Sequence, residues 1–444
     1  MRDIVITLLV FSAVPLVLVR PWLGILLWSW LGYMNPHRLS WGFAYDFPFS
    51  QVAAMATLAG LLFTRDRRGL PMTGTTAVWL LFLGWMTVTT YFALDPETAV
   101  EDFQKTMKIQ LFALLTVSLI RTRERLTALI WVVALSLGFF GLKGGLFVLR
   151  GGGEWQVWGP PGSFIEDNNA LALALIMVMP FLWHLYTSSS QRWLRYGVGI
   201  TMVLSCASIL GSHSRGAALA GAVMLLILWI KGSRRVLMGT AMLVLVPFLI
   251  LSMPEKWFER MQTVATFEQD DSAMGRLRAW EFSIDLALQR PIGGGFGSFD
   301  EANYRRFAPD IAREIEEVGA GRFQDAHSIY FKVLGDHGFP GLALFLLLGV
   351  MTYRSASRVI RQARDVAHLQ WAGHLASMTQ VSMVGFAVGG AFLGLSYFDL
   401  YYHLIAIIVV LRAIVTEEPE TASDVPASLP GPDVAGVKPQ ATGG

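Results

Sequence analysis

The amino-acid sequence predicts an all-α protein that crosses a membrane many times. Hydrophobic residues make up 54% of its 444 residues and charged residues only 15%, whereas soluble domains carry about 25% charged residues. Apolar runs recur along the chain, and a run of about 20 residues is enough to cross a hydrocarbon core of about 30 Å. The composition therefore predicts a polytopic α-helical membrane protein that resides in a lipid bilayer. The net charge of +2 provides no basic field for nucleic acid.

The predicted spans follow from the positions of the apolar runs. These runs lie at 4–19, 22–34, 49–63, 75–93, 106–120, 126–149, 169–186, 194–211, 216–231, 236–252, 328–352, 373–393 and 397–413. Basic clusters occupy every second connection, which places those connections and the C-terminus in the cytoplasm. Counted separately, the runs give thirteen spans. We expect about twelve transmembrane helices, because 22–34 is short for a full crossing and 4–34 can form one passage interrupted at Arg20-Pro21.

This topology divides the chain into four parts. Residues 1–252 form the N-terminal transmembrane helices, and residues 253–327 form one large extracytoplasmic loop. Residues 328–415 form the C-terminal transmembrane helices. The remaining residues, 416–444, are rich in Pro, Gly, Ala and Ser without an apolar period, which predicts a disordered cytoplasmic tail.

The large loop is expected to contain helices of its own. Residues 275–289 have the pattern of an amphipathic helix, and residues 303–318 that of a second, more polar one. The apolar face of the first helix consists of Leu277, Trp280, Ile284 and Leu288. Between the two, the glycine-rich turn 291–297 superficially resembles a phosphate-binding loop. It follows no strand and opens no βαβ unit, so no nucleotide site is expected there.

Several polar residues are predicted to lie together on the extracytoplasmic side. Arg215 lies in a short connection between two apolar spans, and Arg276 and Arg278 lie in the large loop. His327 ends that loop where the next apolar run begins. A guanidinium group is suited to bidentate binding of phosphate or carboxylate, and an imidazole with a pKa of about 6.5 is suited to proton transfer at neutral pH. These residue types therefore indicate an anion site beside a general base.

Plain structural roles would also account for these residues. A snorkelling side chain or an ion pair would explain Arg215, and a solvated helix face would explain Arg276 and Arg278. A helix cap would explain His327, and His213 and His337 are expected to be structural. Lys143, inside the run 126–149, is an intramembrane cation that is either functional or snorkels to the surface.

Metal and disulfide chemistry are not expected. His213, His327 and His337 lack the close spacing of metal ligands, so we expect no metal site. The single cysteine, Cys206, leaves no partner for a disulfide within the chain.

Four sequence elements occur in a fixed order at the ends of predicted spans. They are Ser214-Arg215-Gly216, Gly275-Arg276-Leu277-x-x-Trp280, the turn from Pro291 to Phe299, and His327-Ser328-x-Tyr330-x-x-x-Leu334-x-Asp336-x-Gly338-x-x-Gly341. Together they resemble the motifs of the O-antigen ligase and polymerase superfamily of bacterial membrane glycosyltransferases. The segments Asn35-Pro36-His37-Arg38 and Asp167-Asn168-Asn169 are similar to those of O-glycosylation ligases associated with exosortase systems. Asp336 and Ser328 depart from the family pattern, in which glutamate and asparagine are commoner.

The resemblance implies a GT-C-like fold and an inverting reaction that needs no metal or other cofactor. The donor would be a glycan linked to undecaprenyl diphosphate, and the acceptor a hydroxyl group at the periplasmic face of a bacterial inner membrane. It implies His327 as the catalytic base and Arg215 and Arg276 as the diphosphate ligands, with Arg278 as a further candidate. Supporting candidates are Asp336, Tyr330, His213, Asn168 and Lys143.

The acceptor and the class of activity leave alternatives. We expect lipid A–core oligosaccharide as the acceptor, but a protein side chain or a growing glycan chain fits the same chemistry. A flippase for lipid-linked sugars would need polar residues along a path through the bilayer. The polar candidates instead concentrate on the outer side, which favours the enzyme.

Overall fold

The structure, a computed structural model, describes residues 1–66, 69–232, 271–317 and 323–423, with isolated positions between 239 and 258. Within these ranges the chain forms helices joined by turns and contains no strand. The predicted span 236–252, much of the first part of the large loop and the tail beyond 423 lie outside the described residues.

The described helices coincide closely with the predicted apolar runs. Their bounds are α1 Arg2–Val19, α2 Trp22–Met34, α3 Phe49–Phe63, α4 Gly74–Tyr91, α5 Pro96–Leu119, α6 Arg123–Gly151, α7 Asn168–Ser188, α8 Arg192–Gly211, α9 Arg215–Lys231, α10 Asp271–Gln289, α11 Glu301–Phe307, α12 Pro309–Glu317, α13 Ile329–Ala363, α14 Gln370–Gly389 and α15 Asp399–Ser423. In the part of the chain that the structure describes, seven helices are long and apolar enough to cross a membrane, and two shorter apolar helices accompany them. The prediction of an all-helical, multi-pass membrane protein is confirmed.

Helices α1 and α2 form an antiparallel hairpin. The carboxylate of Asp3, at the start of α1, accepts backbone hydrogen bonds from Gly42 (3.1 Å) and Ala44 (3.2 Å), which follow the end of α2. The start of α1 therefore lies beside the connection after α2. The expectation that 4–34 is a single interrupted passage was wrong, because Pro21 begins a new helix that reverses the chain instead of bending the first helix.

The centre of the bundle is formed by helices that are apolar on every side. Every residue from 170 to 182 of α7 is buried, and so is every residue from 400 to 411 of α15. A helix that is hydrophobic all round is expected in such a core position. At the neighbouring α6–α8 contact, a Cβ on Gly145 would lie 2.7 Å from the Cα of Leu204, so the backbones approach too closely for any larger residue.

The large loop packs as a small helical layer with its own apolar core. Phe282 of α10 stacks on Tyr304 of α11, with ring centroids 3.9 Å apart. The predicted helix 303–318 is divided in two at Ala308, since proline at the next position disfavours helical backbone in the residue before it.

Helix α10 is apolar on two faces, and the sequence pattern identified the outer one. Leu277, Ile284 and Leu288 are between 41% and 66% exposed, whereas Phe282 and Leu286 are fully buried against the loop core. The apolar face that the sequence predicts, with Leu277, Ile284 and Leu288, therefore points away from the loop core. A membrane protein tolerates this arrangement because its outer solvent is partly lipid.

Candidate functional site

His327 lies two residues before α13, at the end of the large loop. Its backbone φ is +43°, in the left-handed region that few residues other than glycine adopt. Such a conformation costs on the order of 1 kcal/mol and persists only where the surrounding structure holds it. The side chain is exposed, so the imidazole is accessible to a substrate from the large-loop side of the bundle.

Each of the three residues before His327 makes a contact with a different helix. The Tyr304 hydroxyl donates to the carbonyl of Gln324 (2.8 Å), the Lys332 ammonium pairs with Asp325 (3.2 Å), and the Trp280 indole donates to the carbonyl of Ala326 (2.8 Å). These three contacts come from α11, α13 and α10, so three helices together determine where the histidine lies.

Two arginines share a cleft beside this segment. Arg215 is the first residue of α9, and Arg276 lies in α10. Both line an open cleft of about 510 Å³, whose other walls are mainly apolar and include Leu219, Trp280 and Phe392. The volume lies within the usual range of ligand sites, roughly 300–1,000 Å³. An apolar cleft with two guanidinium groups suits an amphiphile that carries an anionic group.

The turn before Arg215 is fixed by two of the predicted supporting residues. Asn168 is buried, and its side-chain amide donates to the carbonyl of Ser212 (2.6 Å). His213 has a φ of +56°, and its Nε2 donates to the carbonyl of Gly153 (3.0 Å). Both side chains therefore hold the chain that positions Arg215.

The surroundings of His327 lower the pKa of its imidazole, mainly through desolvation. Desolvation by the surrounding protein lowers the pKa of His327 even though the side chain is exposed. Arg276 and Lys332 act in the same direction, while Asp325 and Asp167 raise the pKa. The net direction is downward, so the neutral imidazole, which is the form that can act as a base, predominates at neutral pH.

Arg278 is placed differently from the other two arginines. Its Nε and Nη2 lie 3.0 Å and 2.7 Å from one carboxylate oxygen of Glu314 in α12. The guanidinium is thus engaged within the large loop, and Arg278 is not among the residues that line the cleft.

Asp336 belongs to a buried charge network that includes a residue the sequence did not single out. Its carboxylate is fully buried and accepts hydrogen bonds from Ser298 (3.0 Å) and Tyr397 (3.0 Å). The ammonium of Lys332 lies 3.5 Å from Asp336 and 3.2 Å from Asp325. A lysine four residues before an aspartate at the start of an apolar helix was the available signal for this pair.

The glycine-rich turn 291–297 packs against an interruption in α13. Gly338 has φ +64° and breaks the helix, and Pro340 has no N–H to donate to the carbonyl of Asp336. The N–H groups of Gly294 and Gly295 donate instead to the carbonyls of Gly335 and Asp336, each over 2.8 Å. The turn therefore satisfies backbone carbonyls that the interrupted helix leaves without a donor.

The other candidates lie outside the cleft. The Tyr330 hydroxyl donates to the carbonyl of Ala387 (2.8 Å) and ties α13 to α14. His337 is buried, with its Nδ1 2.7 Å from the Thr89 hydroxyl. Lys143 is exposed and lines a separate cavity beside the start of α1.

Comparison with known protein families agrees with this arrangement. The fold and the cleft define a multi-pass membrane protein with an arginine-lined cleft beside its large loop. Residues 200–346 match the family described as O-antigen ligase. This match supports the predicted resemblance to the O-antigen ligase superfamily, and it covers the segment that contains Arg215, Arg276 and His327. Residues 1–190 match DUF5935, a family of unknown function. No curated protein matches the chain.

Proposed function

We propose that the protein is a membrane glycosyltransferase of the O-antigen ligase type. It transfers a glycan from an undecaprenyl-diphosphate donor to an acceptor hydroxyl at the periplasmic face of the bacterial inner membrane. The observation that carries this proposal is the shared cleft of Arg215 and Arg276, whose wall residue Trp280 also holds the residue before His327.

The cleft suits the donor because it combines two kinds of surface. Leu219, Leu277 and Phe392 offer apolar walls for the first isoprene units, and the two arginines offer charge-assisted hydrogen bonds to the diphosphate. Arginine binds phosphate oxygens through two parallel hydrogen bonds, which fixes the orientation of the leaving group as well as its position.

The reaction is a single displacement at the anomeric carbon. The acceptor oxygen forms a bond to that carbon while the bond from carbon to the diphosphate oxygen breaks. The electron pair of that bond leaves with the polyprenyl diphosphate, whose added negative charge Arg215 and Arg276 stabilise. Attack from the face opposite the leaving group inverts the anomeric configuration. The mechanism requires no metal ion, since the guanidinium groups provide the positive charge.

His327 receives the proton of the acceptor hydroxyl in this scheme. A positioned general base contributes roughly 10²–10⁴-fold to such a step. The lowered pKa keeps the imidazole neutral at the pH of the reaction, and Arg276 lies close enough to influence that pKa. Trp280 lines the arginine cleft and also holds the residue before His327, so the proposed base lies beside the proposed leaving-group site.

The proposed acceptor is lipid A–core oligosaccharide. A protein side chain or the end of a growing glycan would use the same displacement and the same residues. A flippase remains the alternative of a different class, and both arginines lining one cleft beside the large loop favour transfer over transport.

A reconstituted assay with purified substrates tests the proposal. Wild-type protein in nanodiscs receives an undecaprenyl-diphosphate glycan and lipid A–core oligosaccharide, and the product is followed by gel and mass spectrometry. We expect transfer by wild type and by His368→Ala, an exposed histidine in the connection before α14, and a loss of at least about 100-fold in His327→Ala. Near-normal transfer by His327→Ala would reject the base assignment.

The acceptor is tested in the same assay by substitution. If wild type consumes the donor only when a protein or glycan acceptor is present, the lipopolysaccharide assignment is wrong and the transferase assignment stands. If no acceptor supports donor consumption but the donor changes leaflet in proteoliposomes, the transferase proposal itself fails.

A further inference from the structure

The strained backbone at His327 needs support from both sides of the histidine. Before it, the carbonyl oxygens of Gln324 and Ala326 accept hydrogen bonds from Tyr304 and Trp280. Asp325 is held through its side chain, by Lys332. This third contact closes a loop across His327, because Lys332 lies in the first turns of the helix that follows the histidine.

Lys332 connects the histidine segment to a rigid part of the bundle. Its ammonium lies 3.2 Å from Asp325 and 3.5 Å from Asp336. Asp336 is itself fixed by Ser298 and Tyr397, each at 3.0 Å. The ammonium therefore links the end of the large loop to a carboxylate that is fully buried.

Lys332 is poorly placed to act on a substrate directly. Its side chain is only 14% exposed, and its ammonium lies over the ring of Phe299 at 4.7 Å. It does not line the arginine cleft. Any influence on the reaction must pass through the residues that it contacts.

We propose that Lys332 is a positioning residue for His327. By clamping Asp325 to Asp336 it keeps the left-handed His327 beside the arginine cleft, in reach of the acceptor. The inference rests on the proposed function, since it assigns the contact a role in catalysis beyond that of an ordinary ion pair.

The charges that face His327 give this role a distinctive signature. They are Asp325 in its own segment, Asp167 before α7, Arg276 on α10 and Lys332 on α13. Lys332 lowers the pKa of His327 and Asp325 raises it. Lys332→Met should therefore move the acid limb of the activity to higher pH, and Asp325→Asn should move it to lower pH. Both should reduce kcat, because either change releases the clamp.

The experiment compares these two variants with Lys332→Arg and with Arg305→Met. Arg305 forms exposed ion pairs with Glu301 and Glu316 in the same loop, so its replacement controls for the loss of a salt bridge. We expect kcat to fall roughly 10–100-fold in Lys332→Met and Asp325→Asn, the scale of a misplaced catalytic group. The donor KM should change little, while Lys332→Arg retains most activity and Arg305→Met retains all of it.

A chemical readout keeps the test independent of turnover. Diethyl pyrocarbonate modifies the neutral imidazole, and mass spectrometry follows the peptide that contains His327 among the eight histidines. The pH midpoint of modification should rise in Lys332→Met and fall in Asp325→Asn. Unchanged midpoints and unchanged kcat in both variants would overturn the proposal.

The remaining outcomes are also decisive. Loss of activity with an unshifted midpoint and a lowered thermal stability would reduce Lys332 to a structural ion pair and so refute the positioning role. If wild type shows no transferase activity, the proposed function fails, while shifted midpoints would still support the clamp on His327.

Discussion

The indole N–H of Trp280 donates to the carbonyl oxygen of Ala326 over 2.8 Å, which joins the wall of the arginine cleft to the residue before His327. The same indole stacks on Phe331, with ring centroids 4.9 Å apart and planes within 12°. A movement of the cleft wall would therefore move the histidine as well. Together with the contacts of Tyr304 and Lys332, this hydrogen bond determines where His327 lies relative to the cleft.

Trp280→Phe is expected to weaken that coupling while it preserves the aromatic packing. The carbonyl of Ala326 loses its donor, and leaving a partly buried acceptor without its hydrogen bond costs about 1–3 kcal/mol. We expect transfer to fall roughly tenfold, measured as kcat with saturating donor. Trp193→Phe, an exposed tryptophan at the opposite end of the bundle, is the control. Equal activity in the two variants would show that the hydrogen bond has no part in positioning.

Replacing the cleft arginines is expected to affect the chemical step. Arg215→Gln and Arg276→Gln should each lower kcat by roughly 10²–10³-fold, since each removes a preformed positive charge at the leaving group. Lysine should restore only part of the activity, because a point charge does not reproduce the bidentate fork. Arg313→Gln, an exposed arginine of α12, should behave as wild type.

Arg278→Gln tests whether Arg278 binds the diphosphate, as the sequence motif implies, or only pairs with Glu314 inside the large loop. Because the guanidinium is paired with Glu314 and does not line the cleft, the variant should retain most of its turnover. Its effect should appear instead in the stability of the large loop, which limited proteolysis of the purified protein can measure. A loss of turnover as large as that of Arg276→Gln would instead support Arg278 as a diphosphate ligand.

The pH dependence of transfer follows from the direction of the His327 shift. The pKa lies below its usual value because of desolvation, and the neutral form is the base. Activity should therefore be complete above this pKa and should be lost as the pH falls through it. The acid limb of kcat is expected below about pH 6.5. An acid limb well above that pH would contradict the assigned environment.

Gly293→Ala is expected to destabilise the fold without touching the cleft. Gly293 has φ +79°, and an added Cβ would lie 2.4 Å from the nitrogen of Gly338 and 2.7 Å from the carbonyl oxygen of Asp336. The strain and the backbone clash should together cost more than about 2 kcal/mol. Thermal unfolding in detergent measures this loss. Gly84→Ala, where an added Cβ meets nothing within 4 Å, should be neutral or slightly stabilising.

The sequence predicted the helices well because membrane spans leave a strong local signal. Most apolar runs on the described residues match a helix to within a few positions, with caps such as Asp95 and Thr122 at the boundaries. Helix α5 begins about ten residues before its apolar run, and α13 and α15 continue about ten residues beyond theirs. The hairpin at Arg20-Pro21 was missed because a short apolar run fits either a full crossing or part of one. Its resolution depended on the contact of Asp3 with residues beyond α2.

The candidate site could be predicted in part. Motif order indicated Arg215, Arg276 and His327, and the structure brings the two arginines into one cleft with Trp280. The order of the motifs could not indicate that Arg278 pairs with Glu314, since that contact joins two helices of the loop. Lys332 was missed for a similar reason. Its role depends on its contacts with both Asp325 and Asp336. Asp325 lies before α13, the helix that contains Lys332.

The interrupted helix α13 has a consequence for the order in which the protein is made. A break at Gly338 in an isolated span would present bare carbonyls to lipid, which is strongly unfavourable. The groups that cover those carbonyls belong to residues 291–297, which leave the ribosome before α13 does. The nascent chain therefore contains the covering turn before it contains the helix that requires it.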